Sequence, residues 1–213
     1  MNEIFSSPLP LIAVLIPVGA AILIALTTSR HPNLRDSWST AAAILLVAVV
    51  LLMLNETRQG RLAQMTIVEL SPDINIALRA DPAGMIFGGL ASGLWILAGV
   101  YAVGYMRGGN EHKQTRFFSA FALSISAAIG VALAENLLTF VLFYELLTLS
   151  TYPLVTHRET EEAIVAGRKY LTYTLSGGLL LIGATAWVHV LGIDATFAAG
   201  GFLNQASLTQ ASQ

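Results

Sequence analysis

The chain has 213 residues, of which 55% are hydrophobic and only 11% charged, with a formal net charge of −2. A soluble domain carries about 25% charged residues, so this composition, with a mean hydropathy of +0.68, describes a polytopic membrane protein. The small net charge gives no ground for nucleic-acid binding, and the lack of cysteine excludes disulfides, thiol nucleophiles and cysteine metal sites.

Met1, Asn2 and Glu3 lack the basic stretch that opens a secretory signal, so the first apolar run reads as a retained span over residues 8–28, with Pro10 near its start and Pro17 inside. A loop with Arg30 and Arg35 leads to a second span at 38–54, short enough to extend into its flanks. Residues 55–82 form one polar segment, in which TIVEL and INIALR flank the turn residues Ser71-Pro72-Asp73. Ile74, Ile76 and Leu78 alternate with Asn75, Ala77 and Arg79, the period of a small β-hairpin lying over the membrane surface. Asp81-Pro82, as cap and first-turn proline, opens a third span at 83–106. Further spans follow at 117–134, 136–157 and 163–191, and the tail 192–213 is too polar for another. The expected fold is therefore all-α, a transmembrane domain of about six helices over 1–191 with an extracytoplasmic β-hairpin between the second and third.

Six spans put both termini on one side. The loops after the odd-numbered spans, with adjoining helix ends, hold eight cations: Arg30, Arg35, Arg107, Lys113, Arg116, Arg158, Arg168 and Lys169. The other side holds three, Arg58, Arg61 and Arg79. Positive residues favour the cytoplasm, which places both termini outside a cell inner membrane.

The fifth span carries Glu145 near its middle, where a carboxylate costs at least ~2.5–3.5 kcal/mol to insert. Such a group serves proton or ion movement, or closes an inert inter-helix hydrogen bond. Thr148 and Tyr152, at i+3 and i+7, continue a polar stripe below it. His157 stands at the mouth of this span, as a proton inlet or a solvated end residue. Lys169 lies early in the sixth span, above Thr172, Tyr173 and Ser176 at i+3, i+4 and i+7. Two readings of Lys169 stand side by side: an amine snorkelling to the interface, and a charge acting inside the span. The four histidines are scattered without metal-ligand spacing, and no nucleotide loop or catalytic triad can be drawn, so no cofactor or catalytic chemistry is expected in this chain.

Asp81-Pro82, the GYM at Gly104–Met106, ENLLTFVLFYELLTLSTYPLV and AGRKYLTYTLSGG together resemble the antiporter-like membrane subunits. That family comprises the D and A subunits of Mrp-type Na⁺/H⁺ antiporters, with the first of these nearest in pattern, and their relatives in respiratory complex I and membrane-bound hydrogenases. The resemblance implies that Glu145 belongs to a proton path, with Lys169 matching the family's basic residue in the sixth helix. Family members have about fourteen helices, and the lysine that partners the glutamate lies on a seventh, absent here. The resemblance thus implies an N-terminal six-helix portion moving H⁺, with Na⁺ as a further cargo, among other membrane subunits of an antiporter or respiratory complex. The alternatives are a membrane-arm subunit of a redox-driven pump and a non-conducting truncated scaffold.

Overall fold

The structure, a computed structural model, describes residues 3–27, 31–71, 74–197 and 201. Arg30, the Pro72-Asp73 turn and most of the expected tail lie outside the described residues. Among the described residues, six helices are long and apolar enough to cross a membrane: α1 (Leu9–Leu26), α2 (Pro32–Arg58), α3 (Pro82–Gly108), α4 (Gln114–Ala132), α5 (Leu137–Val155) and α6 (Glu161–Val190). Local chemistry sets several of their starts. The Asp81 carboxylate accepts from the Gly84 N–H at 2.6 Å, and Pro82 follows where no intrahelical N–H partner is needed. Asn136 Oδ1 caps α5 through the Thr139 N–H at 2.9 Å, and Thr160 Oγ1 caps α6 through the Ala163 N–H at 3.2 Å.

The polar segment between α2 and α3 differs from a lone hairpin. Strands β2 (Arg61–Ser71) and β3 (Ile74–Arg79) pair antiparallel, and β1 (Glu3–Ser6) adds to β2 in parallel, with Glu3 opposite Arg61 and Ser6 opposite Gln64. The fold is therefore mostly helical with a three-stranded sheet, where the sequence suggested helices and one hairpin. A four-residue strand is too short for a period-2 signal, and its partner lies far away along the chain.

Successive helices reverse direction, so the sheet, the α4–α5 linker and the segment after α6 gather at one end, the sheet end. Arg79 N–H donates to the Leu133 carbonyl at 2.6 Å, Glu135 N–H to Ala77 at 3.0 Å, and Phe197 N–H to Glu135 at 2.8 Å, stitching these pieces together. The opposite end, the loop end, holds the α1–α2, α3–α4 and α5–α6 connections.

Helices α1 to α4 enclose the core, with Trp95, Phe118, Ile24, Leu46, Met53, Met85 and Met106 almost wholly buried. Ser119 and Ser126 on α4 donate to the α1 carbonyls of Ala21 and Val14, at 3.1 and 2.8 Å, so these hydroxyls serve helix packing. Helix α5 lies on α4, where the Phe143 ring fills the space beside Gly130. Helix α6 packs chiefly on α5 and is otherwise open.

Candidate functional site

Glu145 is half-buried on α5, and its carboxyl group points at α6. It occupies the space that a side chain at Gly178 would fill, so the missing Cβ of Gly178 is what admits it. Glu145 Oε1 is buried and meets no hydrogen-bond donor among the described residues. A buried acceptor without a donor is costly, and a charged one more so, unless a proton or cation comes to it.

The same helix contact continues toward the loop end. The Tyr152 ring lies against Gly167, 3.0 Å from where a Cβ would stand, and the Thr156 methyl closes on the same glycine. Thr151 Oγ1 and the Tyr170 hydroxyl share a 2.6 Å hydrogen bond across the α5–α6 seam. Thr148 is buried, so the expected α5 stripe of Glu145, Thr148 and Tyr152 is turned into protein.

The α6 stripe is turned the other way. Nine residues separate Lys169 from Gly178, which is about 13 Å along the axis and half a revolution at ~100° per residue. Lys169 is exposed, with no ion-pair partner within 4 Å among the described residues, and shares its face with Thr172, Tyr173 and Ser176. Thr172 and Ser176 return their hydroxyls to their own helix, donating to the carbonyls of Arg168 at 2.9 Å and Thr172 at 2.6 Å, while Tyr173 stands 78% exposed. Helix α6 thus has a glycine face against Glu145 and a polar face away from it. Lys169 does not touch Glu145.

His157 follows α5 at the loop end and is buried, with neither ring nitrogen bonded among the described residues. It stacks on exposed His112 with ring centroids 5.3 Å apart and meets the edge of Phe117 at 5.4 Å. Burial, then the neighbouring Arg116 and His112, lower its pKa from the usual 6.5, which favours the neutral imidazole. Nearby Glu159 pairs with Lys113 at 2.6 Å and with Arg116, and these hydrogen bonds hold its pKa at about 2. Asp36, buried at the same end, takes Arg35 at 2.7 Å and Arg107 at 2.5 Å, while Arg35 lies over the Phe118 ring.

Residues 134–203, which contain α5 and α6, match the family model described as NADH:quinone oxidoreductase/Mrp antiporter, TM. Curated relatives include the Na(+)/H(+) antiporter subunit A1 of Staphylococcus aureus, 27% identical over 175 residues, covering 81% of this chain and 22% of the relative. The same subunit from strains Newman and N315 matches with the same figures. The chain is thus similar to antiporter and complex I-like membrane subunits, with the family match lying over α5 and α6. It spans 22% of the length of these antiporter relatives, which are A-type subunits, whereas the residue pattern alone pointed to the D type. A chain of the membrane-bound sulfane sulfur reductase, an archaeal respiratory membrane complex, shares the fold of this antiporter-like protein. It superposes with a TM-score of 0.73 at 16% identity, covering 87% of this chain and 38% of that one.

Gly167, Gly178, Thr151 and Tyr170 were not among the expected site residues of this antiporter-like chain. One signal for the glycines was available: eleven residues are close to three whole helical turns, so Gly167 and Gly178 share a face. The Thr151–Tyr170 bond left no signal, because it depends on how two helices meet.

Proposed function

We propose that this chain handles protons as a membrane subunit within a larger assembly, with Glu145 as the proton-binding group. The observation that carries the reading is the Glu145 carboxyl, seated mid-helix against Gly178 with its buried Oε1 lacking a donor among the described residues. A proton arriving there satisfies the oxygen and removes the charge, and its departure restores both costs, so the site is suited to exchange. The loop-end approach runs from His157 past Tyr152 and Thr148, all on or just beyond α5. The cation-rich loop end faces the cytoplasm on this reading, with the sheet and both termini outside the inner membrane.

Lys169 acts on Glu145 through its field. At ~15 Å and an effective dielectric of about 20, two unit charges interact by on the order of 1 kcal/mol, enough to bias a proton without contact. The outward stripe of Lys169, Thr172, Tyr173 and Ser176 is costly in lipid, which supports further membrane subunits lying against α6. The antiporter relatives, named for Na⁺/H⁺ exchange, support Na⁺ as the exchanged ion of the whole complex, with no Na⁺ site assigned to this chain.

Glu145→Gln and Glu145→Ala, introduced into the assembled complex, are expected to abolish proton transport while the complex still forms. Complex loss in both variants, with no separable transport defect, would instead mark Glu145 as a packing residue.

A further inference from the structure

Helix α5 is bracketed by buried titratable groups. His157 follows its loop end, and Glu135 precedes its sheet end, ten residues or about 15 Å along the axis from Glu145. Glu135 is 7% exposed and sits in the linker between β3 and the segment after α6. Its Oε1 meets Arg79 Nη1 at 3.4 Å, a long contact, while its Oε2 and Arg79 Nε are buried without hydrogen-bond partners among the described residues.

Two features set this pair apart from a fixed ion pair. Arg79 Nη2 also donates to the Phe197 carbonyl, so the guanidinium keeps an acceptor when Glu135 loses its charge. Exposed Asp194 lies on the segment after α6, which is tied to the start of α5 by the Leu137 N–H to the Ala195 carbonyl at 3.2 Å and to the α4–α5 linker by the Phe197 N–H to the Glu135 carbonyl. Its carboxylate accepts from the Thr196 N–H at 2.9 Å, and its charge is the second one acting on Glu135. Burial pushes the Glu135 carboxyl above its ordinary 4.5, Arg79 pulls it down and Asp194 pushes it up again, with a net rise.

We propose that Glu135 is a second proton-binding group of this chain, exchanging protons with the sheet-side solution by way of Asp194; this rests on the reading of Glu145 as the central site. A proton from water passes by the Asp194 carboxylate to Glu135 Oε2, where an O–H bond forms and the carboxylate becomes a neutral acid. Arg79 stays hydrogen-bonded to the Phe197 carbonyl, and the segment after α6 stays bonded to the α4–α5 linker. No redox step or further reactant is involved.

Infrared difference spectra across a pH titration of the complex in lipid vesicles test this on wild type, Glu135→Gln and Asp194→Asn. The expected result is a protonated-carboxyl band that is missing in Glu135→Gln and titrates at lower pH in Asp194→Asn. Spectra identical in wild type and Glu135→Gln overturn the proposal, since Glu135 then stays ionised as a structural pair. Should Glu135→Gln fail to assemble, Asp194→Asn decides, and an unmoved titration overturns the proposal. Proton flux separates this from the reading of Glu145. Loss of flux in Glu145→Gln with an unchanged sheet-side pH profile in Glu135→Gln removes Glu135 alone. Full flux in Glu145→Gln removes the central site, whatever Glu135 titrates.

Discussion

Helices α1 to α4 and helices α5 and α6 solve the problem of polar groups in a membrane span in opposite ways. In the α4 span 44% of residues are buried, against 17% in α5 and 6% in α6. The first four helices close on one another, and their buried charges Arg35 and Asp36 are paired, Asp36 with two arginines, while Ser119 and Ser126 on α4 have α1 carbonyls. The last pair leaves Glu145 Oε1 without a donor and Lys169 without an ion-pair partner among the described residues. Matched charges hold a scaffold together; the unmatched pair is where the proposed exchange would take place.

The contrast breaks most heavily on the scaffold side. Asp36→Ala strips the buried Arg35 of its carboxylate, and breaking a buried pair costs about 3–5 kcal/mol. Thermal unfolding in detergent should show this as a clear fall in stability, whereas an unchanged midpoint would mean that the Arg35–Asp36–Arg107 cluster is not structural.

A smaller effect is expected at the seam. Gly178→Ala places a methyl where the Glu145 carboxyl lies, an overpacking cost of about 1–3 kcal/mol. Proton flux should fall with assembly intact, and normal flux would show that Glu145 does not need its present seat. Lys169→Ala sharpens the contrast further, because a lysine acting only through its field contributes on the order of 1 kcal/mol. The flux–pH profile should move with its maximum retained; complete loss would point to a direct role.

The mildest effect is at the surface. The Glu159 carboxylate is held at about 2 against an ordinary 4.5, so its contacts with Lys113 and Arg116 contribute fully above pH 4.5 and are lost as pH falls through 2. Hydrogen exchange at residues 113–116 and 157–160 should rise over that window, and Glu159→Gln should remove the dependence.

Much of this was legible in the residues. Hydropathy located six spans, Asp81-Pro82 announced its cap, and a carboxylate in an apolar run singled out Glu145. Spacing placed Lys169, Thr172, Tyr173 and Ser176 on one face of a helix, but periodicity cannot say which way that face turns. The rotation that points Gly178 at Glu145 and Lys169 away from it is a tertiary fact. Strand β1 escaped for a similar reason, since four residues pairing with a distant strand leave no local pattern. The surroundings of Glu135 were hidden too, because its partner Arg79 and the segment after α6 are far from it in sequence.

The central claim is that Glu145 carries the transported proton. A hydrophobic carbodiimide reacts with a proton-bearing carboxyl in an apolar setting, and mass spectrometry locates the adduct. On this account Glu145 is labelled in the assembled complex, and proton flux falls in step with the fraction modified. Full labelling of Glu145 with flux intact would contradict it.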